Sequence, residues 1–198
     1  VPVAIVGETN AGKSTLLNAL VGEERALVSN IHGTTRDTIE EAINVGGTLV
    51  RFIDTAGIRE TDDTVERMGI DRTFAKISEA DIVLWLIDLT AYREQYTVLA
   101  PSILPAAQGK QLVILLNKQD LVDAPTLAQA QAYLKEQLTS AVSSESLKTF
   151  TLLSLSAQHN EGIQQLRTLL SNTLAQLRQA HNSTGTIVSN LRHYEALS

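Results

Sequence analysis

Eight residues constrain this chain more than all the rest: Gly7-Glu8-Thr9-Asn10-Ala11-Gly12-Lys13-Ser14 fits G-x-x-x-x-G-K-[ST] and stands between an apolar strand-like run, Val3-Ala4-Ile5-Val6, and a segment of helical period over 13–21. Strand, glycine-rich turn and helix in that order build a cradle for an anion. The glycines let the backbone curl until successive N–H groups and the helix N-terminus face one point, and Lys13 adds a full positive charge there. The pattern therefore assigns polyphosphate to Asn10, Ala11, Gly12, Lys13, Ser14 and Thr15, with Ser14 a ligand of Mg²⁺. An ordinary glycine-rich turn would need neither the strand before nor the helix after.

The remaining chain is organised to match. Apolar runs at 2–6, 38–44, 48–54, 82–88, 112–117 and 149–154 alternate with helical periods at 13–21, 68–77, 93–104, 127–138 and 163–177. Such alternation predicts an α/β P-loop NTPase fold: a six-stranded, mostly parallel sheet with helices on both faces. Val45-Gly46-Gly47 signals a hairpin, which makes the second and third strands an antiparallel pair and gives the sheet one antiparallel edge strand. Ile163, Leu166, Leu169, Leu170, Leu174 and Leu177 form a core stripe, and Trp85 lies in a core strand. Segments 22–37 and 56–66 follow neither period, and loops of that length inside a compact domain usually have a function. The polar run 181–185 reads as a linker, so the expected division is a nucleotide domain over 1–179 and a short remainder over 180–198.

Composition excludes several classes. With 198 residues, 43% hydrophobic and 19% charged, the chain has enough apolar material for one core and is not a disordered sequence. Sixteen Lys and Arg against 22 Asp and Glu leave a net charge of −6, a poor surface for a nucleic-acid backbone. Cysteine is absent, which removes disulfides, thiolate metal sites and thiol nucleophiles. The four histidines show no metal-ligand spacing. Its apolar runs are far shorter than the roughly 20 residues of a membrane helix, and no leader is visible, so a cytoplasmic address and no membrane partner are expected. Val1 is not an initiator Met, and the chain begins inside a strand, as a piece of a longer protein would.

Asn117-Lys118-Gln119-Asp120 follows a buried apolar strand and addresses the base. The Asp120 carboxylate can accept from N1–H and the exocyclic amine of guanine, whereas adenine would leave it unpaired. Sites built on such bonds reject the analogue by roughly 10⁴ to 10⁵. Ser156 and Ala157, after the last strand, offer backbone donors to guanine O6. For hydrolysis, Asp54 closes the third strand and can hold Mg²⁺ through water, and the Gly57 N–H can contact the γ-phosphate. A threonine hydroxyl of Thr34-Thr35, assigned to Thr35, completes the Mg²⁺ shell only while that phosphate is present, so its loss releases both loops. Ile58 follows Gly57, where many switch GTPases carry a glutamine that orients water. Help must come from elsewhere, and Arg59, Glu60, Asp62, Asp63 and Glu66 are candidates that composition does not separate.

Taken in order, these motifs resemble the guanine-nucleotide domain of translation-factor-like GTPases and, more narrowly, the MnmE (TrmE) family of tRNA-modification GTPases. The narrower likeness rests on Gly33-Thr34-Thr35-Arg36-Asp37, on Asp54-Thr55-Ala56-Gly57-Ile58-Arg59-Glu60 with Val65-Glu66-Arg67-Met68-Gly69-Ile70, and on the tail from Val188-Ser189-Asn190-Leu191 to Leu197. The resemblance implies that the tail re-enters a helical domain, that two nucleotide domains meet face to face in the triphosphate state of a homodimer, and that K⁺ accelerates hydrolysis. It places K⁺ on Asn10 with main-chain oxygens near Ser29 and Ile31, and makes Glu66 the residue that orients the attacking water through a second water. Thr35, Gly57 and Lys13 complete the implied catalytic set. In the whole protein it implies modification of the wobble uridine of tRNA with a flavin-dependent partner, MnmG (GidA). Glu8-Thr9 stand where members often have a basic residue and Pro. The family's folate-binding domain, most of its helical domain and its C-terminal Cys segment have no counterpart here, so the chain is expected to bind and slowly hydrolyse GTP without modifying tRNA. A ribosome-assembly GTPase and a non-catalytic module gated by GTP remain the rival readings.

Overall fold

A computed structural model of the chain describes residues 1–22, 40–54, 75, 77–143 and 149–195. In chain order the elements are β1 (Pro2–Val6), α1 (Lys13–Gly22), β2 (Glu40–Val45), β3 (Thr48–Asp54), β4 (Ile82–Asp88), α2 (Tyr92–Ala106), β5 (Gln111–Asn117), α3 (Ala124–Ser143), β6 (Phe150–Ser154) and α4 (Ile163–Glu195). Short 3₁₀ turns at Leu89–Ala91 and Gln119–Leu121 follow β4 and β5. The six strands form one sheet in the order β2-β3-β1-β4-β5-β6, with only β2 and β3 antiparallel. This is the mostly parallel sheet with one antiparallel edge pair that the hydrophobic pattern predicts.

Burial explains why the inner strands are continuous apolar runs. Every residue of β4 is buried, because helices cover both faces of the sheet and neither parity can be polar. Leu84 and Leu86 join Ile5, Phe52 and Leu115 beneath α1 and α4, whose Leu16, Leu20, Leu166, Leu170 and Leu174 close that side. Val83, Trp85 and Ile87 point the other way, toward Tyr96 and Ile103 of α2 and Leu134 and Leu138 of α3. Trp85 is fully buried and stacks on Tyr96 with ring centroids 5.5 Å apart. The β2–β3 hairpin turns on Gly46 and Gly47 at φ 57° and 80°, the left-handed pair a tight two-residue hairpin demands.

Helix bounds differ from the sequence periods where capping decides. α3 begins at Ala124, ahead of the apolar stripe, because the Asp123 carboxylate accepts from the Thr126 N–H at 2.8 Å and sets the first turn. α4 runs unbroken through 181–185, where a linker is expected. That segment holds no proline, and its one glycine costs a helix only about 1 kcal/mol relative to alanine. Of the helix expected over 68–77, residues before 75 lie outside the described set.

The winding places the site. From β1 the chain travels to the β2–β3 edge and then returns to β4 on the opposite side of β1. The loop after β1 therefore opens at a change of winding direction, at the carboxyl ends of the strands, where open α/β sheets bind ligands.

Candidate functional site

The loop from Gly7 to Gly12 is shaped by close approach. Gly7 and Gly12 take φ values of 150° and 99°. A Cβ at Gly7 would lie 2.5 Å from the Leu86 carbonyl oxygen, and one at Gly12 would lie 2.4 Å from Asn117 Nδ2. Neither position has room for any side chain. The Ala11 N–H closes the turn on the Glu8 carbonyl at 3.1 Å. Lys13, the first residue of α1 and only 7% exposed, donates from Nζ to the Gly7 and Glu8 carbonyls at 2.5 and 2.8 Å, which holds its charge over the loop. Ser14 and Thr15 are exposed on the first turn of α1, and Asn10 is exposed in the loop. That turn carries no acidic side chain, so no residue of the turn itself offsets the partial positive charge of the helix N-terminus. Asp54 pairs with Ile5 across β3 and β1, which brings its backbone to the same end of the sheet.

A second loop system meets the first through one side chain. Asn117, only 3% exposed, donates from Nδ2 to the Ala11 carbonyl at 2.7 Å and accepts at Oδ1 from the Ala157 N–H at 3.0 Å. It thereby ties the glycine-rich loop to the loop after β6. Replacing Asn117 by Ala strands a buried carbonyl and a buried N–H, each costing about 1–3 kcal/mol. We expect urea unfolding of Asn117→Ala to show a loss of roughly 2 kcal/mol or more; a change within error would mean that these loops are held by something else.

Lys118 adopts a left-handed conformation (φ 64°) and its Nζ lies 2.5 Å from Asp88 Oδ2, on the neighbouring strand end. Asp88 also accepts from Thr90 N and Oγ1 at 2.9 and 2.7 Å, while its own N–H donates to the buried Gln95 Oε1 at 2.8 Å. Burial pushes the Asp88 pKa up, but the hydrogen bonds from Lys118 and Thr90 outweigh it and hold the carboxyl below the usual range. Asp120 is exposed in the 3₁₀ turn after β5, its carboxyl lowered chiefly by a hydrogen bond from the Ser156 side chain. Ser156 is fully buried and exchanges backbone hydrogen bonds of 3.0 Å in both directions with Glu161. The Gln119 N–H donates to the Leu155 carbonyl at 3.2 Å, and Gln119 Nε2 to Glu161 Oε2 at 3.1 Å.

Lys13, Gly12, Ala11 and Asn117 are thus brought into one cluster, with Lys118, Asp120, Ser156 and Ala157 adjoining it. The Ser156 and Ala157 N–H groups, expected to face guanine O6, are bonded to Glu161 O and Asn117 Oδ1 within the chain. Ser29, Ile31, Thr34, Thr35, Gly57 and Glu66 lie outside the described residues, as does the side chain of Asp54. Sequence reasoning missed Asp88, Gln95, His159 and Glu161. For Asp88 a signal existed: an acid closing the apolar run 82–87 at the strand end beside Asn117. Among the described residues no cluster of three or more His, Asp or Glu could hold a metal, and no helix is long and apolar enough to cross a membrane.

With this geometry in hand, known proteins supply the context. Residues 2–118 match the family described as 50S ribosome-binding GTPase. The chain is 46% identical over 202 residues to the tRNA modification GTPase MnmE of Bacteroides thetaiotaomicron, covering 100% of this chain and 40% of the relative. It is 47% identical over 200 residues to the MnmE of Phocaeicola vulgatus, covering 100% of this chain and 37% of the relative. The chain therefore spans about two-fifths of the length of these curated relatives. Among solved structures it is similar to Era in complex with MgGDPNP and nucleotides 1506–1542 of 16S ribosomal RNA, with TM-score 0.64, 26% identity, and coverage of 86% of this chain and 55% of that one.

Proposed function

This chain belongs to the GTPase family described as 50S ribosome-binding GTPase, with relatives named MnmE along its whole length, and from that premise we propose that it is the guanine-nucleotide domain of a tRNA-modification GTPase. The observation that carries the reading is the Asn117 side chain, which joins the loop built for phosphate to the loops built for a base. A nucleotide laid across that junction meets phosphate donors at one end and Asp120 at the other.

In this reading the N–H groups of residues 10–15 and the Lys13 ammonium hold the β- and γ-phosphates, and Asp120 reads guanine. The exposed Ser14 hydroxyl, with Asp54 at the same sheet end and Thr35, gives an all-oxygen donor set that suits Mg²⁺ and would hold it. Asn10, exposed in the loop, and main-chain oxygens near Ser29 and Ile31 are neutral oxygen donors that suit K⁺. Bound there, the two ions add positive charge where negative charge develops in phosphoryl transfer. Thr34, Thr35 and Gly57 sense the γ-phosphate, whose loss releases both switch loops, while Glu66 orients the attacking water. Two such domains pair in the triphosphate state, and the whole protein acts on the tRNA wobble uridine with its flavin-dependent partner in the cytoplasm. Identity of 46% to an MnmE against 26% to Era favours this reading over a ribosome-assembly GTPase.

The test is GTP turnover in K⁺ and in Na⁺, for the wild type and for Glu66→Ala. We expect faster hydrolysis in K⁺, and a loss of about 10²-fold or more in turnover for Glu66→Ala with nucleotide affinity unchanged, the range for a positioning or acid-base group. Equal rates in the two salts together with full activity of Glu66→Ala would instead support a module that senses GTP without catalysing its hydrolysis.

A further inference from the structure

We propose that His159 is a specificity-determining residue that positions the guanine-reading carboxylate of Asp120; this rests on the assignment of Asp120 to the base. His159 Nδ1 lies 3.5 Å from Asp120 Oδ2 and 3.1 Å from Ser156 Oγ, and the His159 N–H donates to the same hydroxyl at 3.4 Å. A carboxylate only accepts, so its proximity selects the tautomer that carries the proton on Nδ1. With two donors from His159 facing its oxygen, the single hydroxyl proton of Ser156 is left for Asp120. The Asp120 carboxylate is then backed by Ser156 and His159 on one side. Its remaining lone pairs are free for the N1–H and exocyclic amine of a purine.

The surroundings make this arrangement rigid at the back and open at the front. Ser156 is fixed by its reciprocal backbone bonds to Glu161, and the loop closes through Asn160 at φ 56° and Gly162 at φ 79°. A Cβ at Gly162 would sit 2.8 Å from the Leu155 Cβ, so the loop packs directly on the strand end. The neighbouring polar side chains are engaged elsewhere: Lys118 with Asp88, and Gln119 with Glu161. His159 itself is 53% exposed, so its removal leaves no cavity in the core. It does remove the Nδ1 donor to Ser156 Oγ that leaves the serine hydroxyl proton for Asp120, and a carboxylate free to rotate reads two guanine donors less well than one held in register.

Binding of GDP and of IDP, which lacks the 2-amino group, by the 198-residue chain tests the proposal. His159→Ala should weaken GDP about threefold to tenfold, the net worth of one ordinary hydrogen bond, and should lower the GDP-to-IDP affinity ratio. Maximal GTP turnover and thermal midpoint should stay at wild-type values. His159→Asn, whose amide nitrogen can occupy the place of Nδ1, should restore the ratio. An unchanged ratio in His159→Ala, or equal weakening of GDP and IDP, overturns the proposal. Asp120→Ala serves as the control on its premise: if that change also leaves the ratio untouched, it is the base assignment that fails, and not the role of His159 alone.

Discussion

Lys13→Ala is expected to raise the dissociation constant for GTP by about 10²-fold or more. The magnitude follows from charge: a cation 4 Å from a phosphate oxygen is worth about 4 kcal/mol at an effective dielectric near 20, and about 2.7 kcal/mol of net loss already gives 10²-fold. Structure adds to it, because the ammonium is held over the loop by the Gly7 and Glu8 carbonyls at 2.5 and 2.8 Å. Truncation leaves the helix N-terminus and the loop N–H groups, which bind an anion weakly by themselves. Lys13→Arg should not rescue, since a broad planar fork cannot place its charge at the same point as a compact ammonium in a loop whose Gly7 and Gly12 leave no space for a Cβ. Calorimetric titration with GTP in magnesium buffer gives the answer. Undiminished affinity in Lys13→Ala would mean that this loop does not hold the phosphates.

What the sequence discloses and what it conceals divide along a physical line. β3 and β4 have the bounds their apolar runs predict; β4, buried on both faces, stops where polarity returns, and β3 keeps one buried face through Val50 and Phe52 while Leu49 and Arg51 are exposed. α3 begins before its stripe because Asp123 caps it, and a cap is a single hydrogen bond that periodicity does not register. The phosphate loop and Asn117 to Asp120 are legible because each is contiguous and its chemistry depends on local spacing. Asp88 is not, for its partner Lys118 is 30 residues away and meets it only through the parallel register of β4 and β5. His159 is hidden for a similar reason: the turn that brings it over Asp120 depends on the left-handed Asn160 and on the bridge between Ser156 and Glu161. Contacts made by topology require the fold first, whereas contacts made by a short loop do not.

Asp120→Asn should invert the base preference from guanine toward xanthine. The carboxylate offers acceptors to both N1–H and the exocyclic amine of guanine. An amide keeps one acceptor and turns the other into a donor, which clashes with the amine and suits the C2 carbonyl of xanthine. Recognition by such bonds carries discrimination of roughly 10⁴ to 10⁵, so a swing of about 10³ or more in the ratio of GDP to XDP affinity is expected. The fold should tolerate the change. Asp120 is exposed, and the turn that carries it is fixed by the Gln119 N–H on the Leu155 carbonyl at 3.2 Å and by Leu121 N–H on Lys118 O at 3.0 Å, none of which involves its side chain. Competition of GDP and XDP for a labelled nucleotide, beside a thermal melt, separates the outcomes. A variant that melts as the wild type does and still prefers GDP would show that the base is read elsewhere. A variant that loses guanine and gains xanthine would place the base against Asp120 and set the direction in which a nucleotide lies across the Asn117 junction.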